Sequence, residues 1–209
     1  MTEPRIIVAI DTYDLEEANA ILDQLNPDLC KIKIGSVVYN SIGKLFLREV
    51  SSRGFKIFLD LKLHDIPNTV YETILGFHDC SIDMLTVHLS GGEEMLKKAM
   101  LAGKSIETKV IGVSILTSLE ESDTMALFNN KLDHQIRNLF EIAVKANLDG
   151  VVCSPHELEM SNTILNSDSI KITPGIRDIR VEDDQLRTMS AKEAIEKGAT
   201  FLVIGRPIT

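Results

Sequence analysis

The segment FLDLKLHDIPNT, residues 58–69, decides how the rest of the chain is read. Leu59, Leu61 and Leu63 alternate with Asp60, Lys62 and His64, the period of two that a strand shows when successive side chains point to opposite faces. With its flanking residues the run becomes KIFLDLKL, apolar enough for a strand buried between layers. Such a strand sets Asp60, Lys62 and His64 on one side, with Asp65 just beyond its end. An unpaired carboxylate or ammonium withdrawn from water costs several kcal/mol or more. The cluster is therefore either mutually paired or engaged in chemistry.

Seven further short runs of similar character surround it: IIVAID (6–11), CKIKIG (30–35), MLTVHL (84–89), KVIGVSIL (109–116), GVVCS (150–154), IKITPG (170–175) and FLVIGRP (201–207). Most are separated by segments of helical spacing. In DLEEANAILDQL, Leu15, Ala18, Ile21, Leu22 and Leu25 fall on one stripe, and SAKEAIEKGA opens with Ser190 and Glu193 in capping-box spacing and ends at Gly198. Eight strands separated by helix-length connections predict a parallel sheet covered by helices, and eight is the number that closes a (β/α)8 barrel. A doubly wound open sheet is the competing architecture, but the glycine fingerprint G-x-G-x-x-G is missing after the first strand, in AIDTYDLEEAN. The expected organisation is one barrel domain over residues 1–209. IGRPIT follows the last strand directly, so the eighth outer helix is expected to be missing from this chain.

Bulk properties narrow the function. The 209 residues, 44% of them hydrophobic and 25% charged, suffice for one large core. A net charge of −9 argues against nucleic-acid binding, which rests on clustered Lys and Arg. Cys30, Cys80 and Cys153 are odd in number, far apart and set in apolar runs, as buried reduced thiols are. The N-terminus lacks the pattern of a signal peptide, and no apolar run approaches the roughly 20 residues of a membrane span. A cytoplasmic protein with no membrane association is expected.

Barrel enzymes gather their working groups at the carboxyl ends of the strands. There this sequence places Asp11, Lys33, the Asp60, Lys62 and Asp65 set, His88 before a Ser-Gly-Gly, Thr117 with Ser118, TPGIR, and GRP. Taken singly, Asp11 or Lys33 is as readily a solvated rim residue, and Asp60 with Lys62 reads alternatively as a structural ion pair in the barrel floor. Lys31, one step deeper than Lys33, belongs to the lower layers or to a salt bridge. His64 reads as a packing or hydrogen-bonding residue. Phosphate recognition has its own signal, since glycines and arginines, Arg177 and Arg206, end strands seven and eight, where barrels often bind phosphate. Residues 176–187, IRDIRVEDDQLR, are polar, lack an apolar stripe and read as a lid. There is no C-x-x-C, H-E-x-x-H, Walker loop or G-x-S-x-G elbow. Acidic strand tips suit Mg²⁺, but Lys62 between Asp60 and Asp65 supplies a neutralising cation, so no metal is expected.

The D-x-K-x-x-D of DLKLHDIPNT, its I-P-N-T extension, and KIG, LTS, TPGIR, DDQ and IGRPIT in that order closely resemble the orotidine 5′-phosphate decarboxylase family, over essentially the whole chain. D-x-K-x-x-D alone is shared with 3-keto-gulonate-6-phosphate decarboxylases and hexulose-phosphate synthases. The extension and the TPGIR and GRP pair narrow the resemblance to the pyrimidine enzymes. It implies a (β/α)8 barrel working as a homodimer and a cofactor-free, metal-free loss of CO₂ from orotidine monophosphate to give uridine monophosphate. By the same resemblance Lys62 protonates C6, Asp60 lies beside the departing carboxylate, and Asp65 completes the charge network from the partner subunit. Asp11 and Lys33 hold the ribose, Thr117 lies at the pyrimidine, and Gln185, Arg206 and the Gly205 backbone hold the phosphate. Arg177, Asn68 and Thr69 fall at substrate-binding positions. Two alternatives stand beside this reading: a Mg²⁺-dependent sugar-phosphate decarboxylase or lyase on the same barrel, and a nucleotide-binding protein without turnover.

Overall fold

Each apolar run becomes a strand, and together they leave no free sheet edge. The structure, a computed structural model, describes residues 3–176, 189–206 and 208–209. Strands β1 (Ile6–Ile10), β2 (Cys30–Gly35), β3 (Ile57–Leu63), β4 (Ile82–His88), β5 (Lys109–Val113), β6 (Gly150–Val152), β7 (Ile170–Thr173) and β8 (Phe201–Ile204) form one closed barrel in sequence order. All neighbouring pairs are parallel, β8 to β1 included. The (β/α)8 barrel is thus the fold, and the open-sheet alternative falls.

Among the described residues, single helices α1 (Leu15–Asp23), α4 (Pro67–Leu75), α5 (Glu93–Ser105), α8 (Leu158–Ile164) and α9 (Ala191–Glu196) follow β1, β3, β4, β6 and β7. Two helices each follow β2 and β5, namely α2 (Ser36–Ile42) with α3 (Lys44–Ser52), and α6 (Glu121–Phe128) with α7 (Leu132–Lys145). Among the described residues no helix follows β8, and none is long and apolar enough to cross a membrane. Local chemistry sets the helix starts. The Asp14 side chain accepts from the backbone N–H groups of Glu16 and Glu17 to begin α1, and Ala18 and Leu22 of its stripe are buried while Leu15 stays exposed. Ser190 and Glu193 form the reciprocal capping box of α9, which ends before Gly198 at φ +103°.

Two cores result. An outer one lies between strands and helices, and an inner one, with Ile7, Phe58, Met84, Ile111, Ile172 and Phe201, fills the barrel. Toward the amino ends of the strands the barrel is closed by charge. Lys31 is fully buried, its Nζ 2.5 Å from Asp83 Oδ2, 2.7 Å from Glu3 Oε1 and 4.4 Å from the Phe201 ring centroid. Asp83 reaches this position because the β3 to β4 register steps from Ile57↔Ile82 to Phe58↔Met84, leaving Asp83 as an extra residue on β4. Its other oxygen lies 3.0 Å from Lys109 Nζ. The lower-layer salt bridge expected for Lys31 is therefore present. All three cysteines are free and buried, and burial pushes Cys153 up to about 12 and Cys80, aided by Asp79, to about 11. Such thiols are poor nucleophiles.

Candidate active site

At its carboxyl end β3 departs from a regular strand. Its pairing with β4 runs Phe58↔Met84 and Leu59↔Leu85 and resumes only at Leu63↔Val87, so Asp60, Leu61 and Lys62 all stand opposite Thr86. Within this bulge Lys62 has φ 52°, a left-handed conformation uncommon outside glycine. Leu59 sits in the outer core, with Leu61 and Leu63 packed against it, so the leucines do face the helices. Lys62 reaches Asp60 through the bulge, however, rather than by plain alternation.

The charges are paired. Lys62 Nζ lies 2.8 Å from Asp60 Oδ2, and Lys33 Nζ lies 3.8 Å from the same oxygen. A Cβ on Gly35 would come within 3.1 Å of Lys33 Nζ, so the glycine leaves room for that lysine beside Asp60. The second carboxylate oxygen, Oδ1, accepts from Thr86 Oγ1 at 3.1 Å, and Oγ1 itself accepts from the Lys62 backbone N–H at 2.8 Å. Side-chain exposures of 13% for Asp60, 16% for Lys33 and 35% for Lys62 make this a wall cluster open on one side, not a sealed ion pair in the floor.

What it opens onto is a cavity of about 650 Å³ at the carboxyl ends of the strands. That volume lies in the range of small-molecule sites. Asp11 from the end of β1, Lys33, Asp60, Lys62, Thr117 beyond β5, and Gly205 and Arg206 beyond β8 all line it. Asp65, Asn68 and Thr69 do not. Asp65 is exposed and its carboxylate accepts from the Ile66 N–H at 2.7 Å, while Asn68 and Thr69 are exposed in the first turn of α4. Arg177, Gln185 and all of the expected lid after Ile176 lie outside the described residues. Ile176 itself lines the cavity and is bridged to Met189.

Several groups near the site escaped the sequence reading. Thr86, fully buried, gave only the signal of sharing its parity with Met84 and His88. Thr12 Oγ1 donates to Glu17 Oε2 at 2.5 Å on the cavity wall. Ser154, also on that wall, donates through Oγ to Glu157 Oε1 at 2.7 Å, and Ser114 donates to Glu157 Oε2 at 3.2 Å. Ser-x-x-Glu after strand six is a capping-box pattern, so this pair was open to discovery from spacing. His64 and His88, both already named from the sequence, lie with their rings tilted by 48° and centroids 5.6 Å apart. Burial first, then the charges of His64 and Lys62, hold His88 below the ordinary imidazole value.

This geometry can be set beside known proteins. A family model described as orotidine 5′-phosphate decarboxylase / HUMPS family matches residues 4–209. The chain is 40% identical over 213 aligned residues to an orotidine 5′-phosphate decarboxylase of Actinobacillus succinogenes, covering 99% of this chain and 91% of the relative. It is 41% identical to one of Haemophilus ducreyi, covering 98% and 91%. The crystal structure of orotidine 5′-phosphate decarboxylase from Lactobacillus acidophilus superposes with a TM-score of 0.86 at 32% identity, covering 99% of this chain and 91% of that one. Barrel, site and kinship together define an enzyme, a carboxy-lyase on a (β/α)8 scaffold. The chain belongs to the orotidine 5′-phosphate decarboxylase / HUMPS family.

Proposed function

We propose that the chain decarboxylates orotidine 5′-monophosphate to uridine 5′-monophosphate, without metal or cofactor, as a cytoplasmic homodimer. The observation that carries this reading is the Lys33, Asp60 and Lys62 cluster, with both ammonium groups directed at one carboxylate oxygen on the wall of a nucleotide-sized cavity. Loss of CO₂ leaves a carbanion at C6 of the pyrimidine. An ammonium fixed at that carbon stabilises the developing charge and then delivers the proton, which is the role assigned to Lys62. Asp60 orients Lys62 and stands beside the departing carboxylate. Asp11 and Lys33 hold the ribose hydroxyls, Thr117 meets the pyrimidine, and Gly205, Arg206 and Gln185 take the phosphate, with Arg177 as a further substrate contact.

Asp65, Asn68 and Thr69 are assigned to the neighbouring subunit's cavity. Their exposure at the start of α4, outside their own cavity, supports that assignment. Phosphate binding far from C6 contributes energy that orients the ring, so loss of those contacts lowers turnover as well as affinity.

The test follows the ultraviolet absorbance of orotidine monophosphate with the protein, with and without EDTA. Decarboxylation that survives EDTA is expected. Turnover of a sugar phosphate only when Mg²⁺ is present would replace this reading with the metal-dependent one. Tight uridine monophosphate binding with no decarboxylation would leave a binding protein.

A further inference from the structure

Thr86 occupies a position that plain strand pairing does not explain. It is the only β4 residue between the partners of Leu59 and Leu63, and three residues of β3 are accommodated opposite it. A left-handed lysine at the end of such a bulge persists only where its surroundings fix it. The contact supplied by Thr86 is its hydroxyl, which accepts from the Lys62 backbone N–H at 2.8 Å. With that lone pair committed, the hydroxyl hydrogen is directed at Asp60 Oδ1, 3.1 Å away. Asp60 is thereby held with Oδ1 turned to β4 and Oδ2 turned to Lys62 and Lys33. Thr86 is fully buried and does not line the cavity, so it reaches a ligand only through these two residues.

We propose that Thr86 is a positioning residue, whose hydroxyl locks the β3 bulge and the Asp60 rotamer so that the Lys62 ammonium is presented at one fixed point of the cavity. The hydroxyl is needed for both bonds at once. Valine has the same shape but neither donates nor accepts, whereas serine keeps both functions. A buried packing role alone makes the opposite demand, since valine would satisfy it and serine would leave a void.

Only the kinetic arm of the test rests on the decarboxylase reading. In Thr86→Val, kcat for orotidine monophosphate is expected to fall about 100-fold, the scale of a catalytic group misplaced by an ångström. Uridine monophosphate affinity and KM are expected to stay within about threefold, because the ribose and phosphate contacts are untouched. Thr86→Ser is expected to recover most of the loss. If Thr86→Val does not fold, Thr86→Cys, with its weak donor and acceptor, takes its place under the same expectation. Turnover within twofold of the parent in Thr86→Val, or equal losses in Val and Ser, would overturn the proposal. If the parent protein itself shows no decarboxylation, it is the functional reading that fails. A crystal structure of the variant then decides the positioning: Lys62 leaving its positive φ and separating from Asp60 upholds it, and an unchanged bulge refutes it.

Discussion

Asp60 divides its two oxygens between Thr86 and the two lysines. Oδ1 is bonded to Thr86, and Oδ2 faces Lys62 at 2.8 Å and Lys33 at 3.8 Å. Because one oxygen serves both ammonium groups, removing Lys62 leaves Asp60 with Lys33 and Thr86 still in place. A Lys62→Ala variant is therefore expected to fold and to bind uridine monophosphate, while its turnover falls by about 10² to 10⁴, the range for loss of a positioned general acid. Calorimetry and the absorbance assay check the two halves, and near-parental turnover would remove Lys62 from the mechanism. Asp60 and Lys62 were legible in the sequence because charges interrupting an apolar run demand an explanation. Thr86 was not, since threonine is ordinary in strands and nothing local records a hydroxyl bonded across to the next strand.

At the scale of the element, the irregularities lie where β3 meets β4, one near each end of the pairing. One presents Lys62 to the cavity, and the other turns Asp83 toward Lys31. Strand existence was readable from apolar runs, but these register shifts were not, because alternation assumes a regular partner. The run 109–116 likewise ends as strand at Val113, and the chain beyond it carries Thr117 over the cavity. The lower shift has a measurable energetic consequence. Replacing the buried cation, Lys31→Met, is expected to destabilise by less than about 3 kcal/mol, because Asp83 keeps Lys109 and Glu3 keeps Lys56. Asp83→Asn strips Lys31 of its best-buried counter-charge and is expected to cost about 3 kcal/mol. The pH dependence has a definite sign. Burial opposes the Asp83 charge, but Lys31 and Lys109 outweigh it and hold the carboxyl below its ordinary value. The unfolded chain then takes up the proton first as pH falls. The stabilisation is present above about pH 4 and is lost below it, as linkage requires. Urea melts at pH 7 and pH 3 should show the two proteins converging at the lower pH, and a constant gap would remove Asp83 as the source.

At the scale of the whole molecule, closure was legible because eight strands in strand-helix order have few ways to bury both faces. Assembly was not, since a single sequence carries no direct mark of which exposed residues meet a second copy. Asp65, Asn68 and Thr69 show the difference: their motif placed them with the site, yet folding leaves them outside the cavity of their own chain. Proposed as contributors to a neighbour's cavity, they give the dimer a chemical consequence. If each site takes Lys62 from one subunit and Asp65 from the other, Lys62→Ala and Asp65→Asn homodimers are both impaired at every site. Mixing them under exchange conditions produces heterodimers in which one site carries both changes and the other carries neither. Random pairing makes half of the dimers mixed, each with one intact site of two, so activity should rise to about a quarter of the parental value, as two-fold symmetry dictates. Activity that stays at the sum of the separate variants would show that each cavity is complete within its own chain, and Asp65 would then lose its place in the charge network.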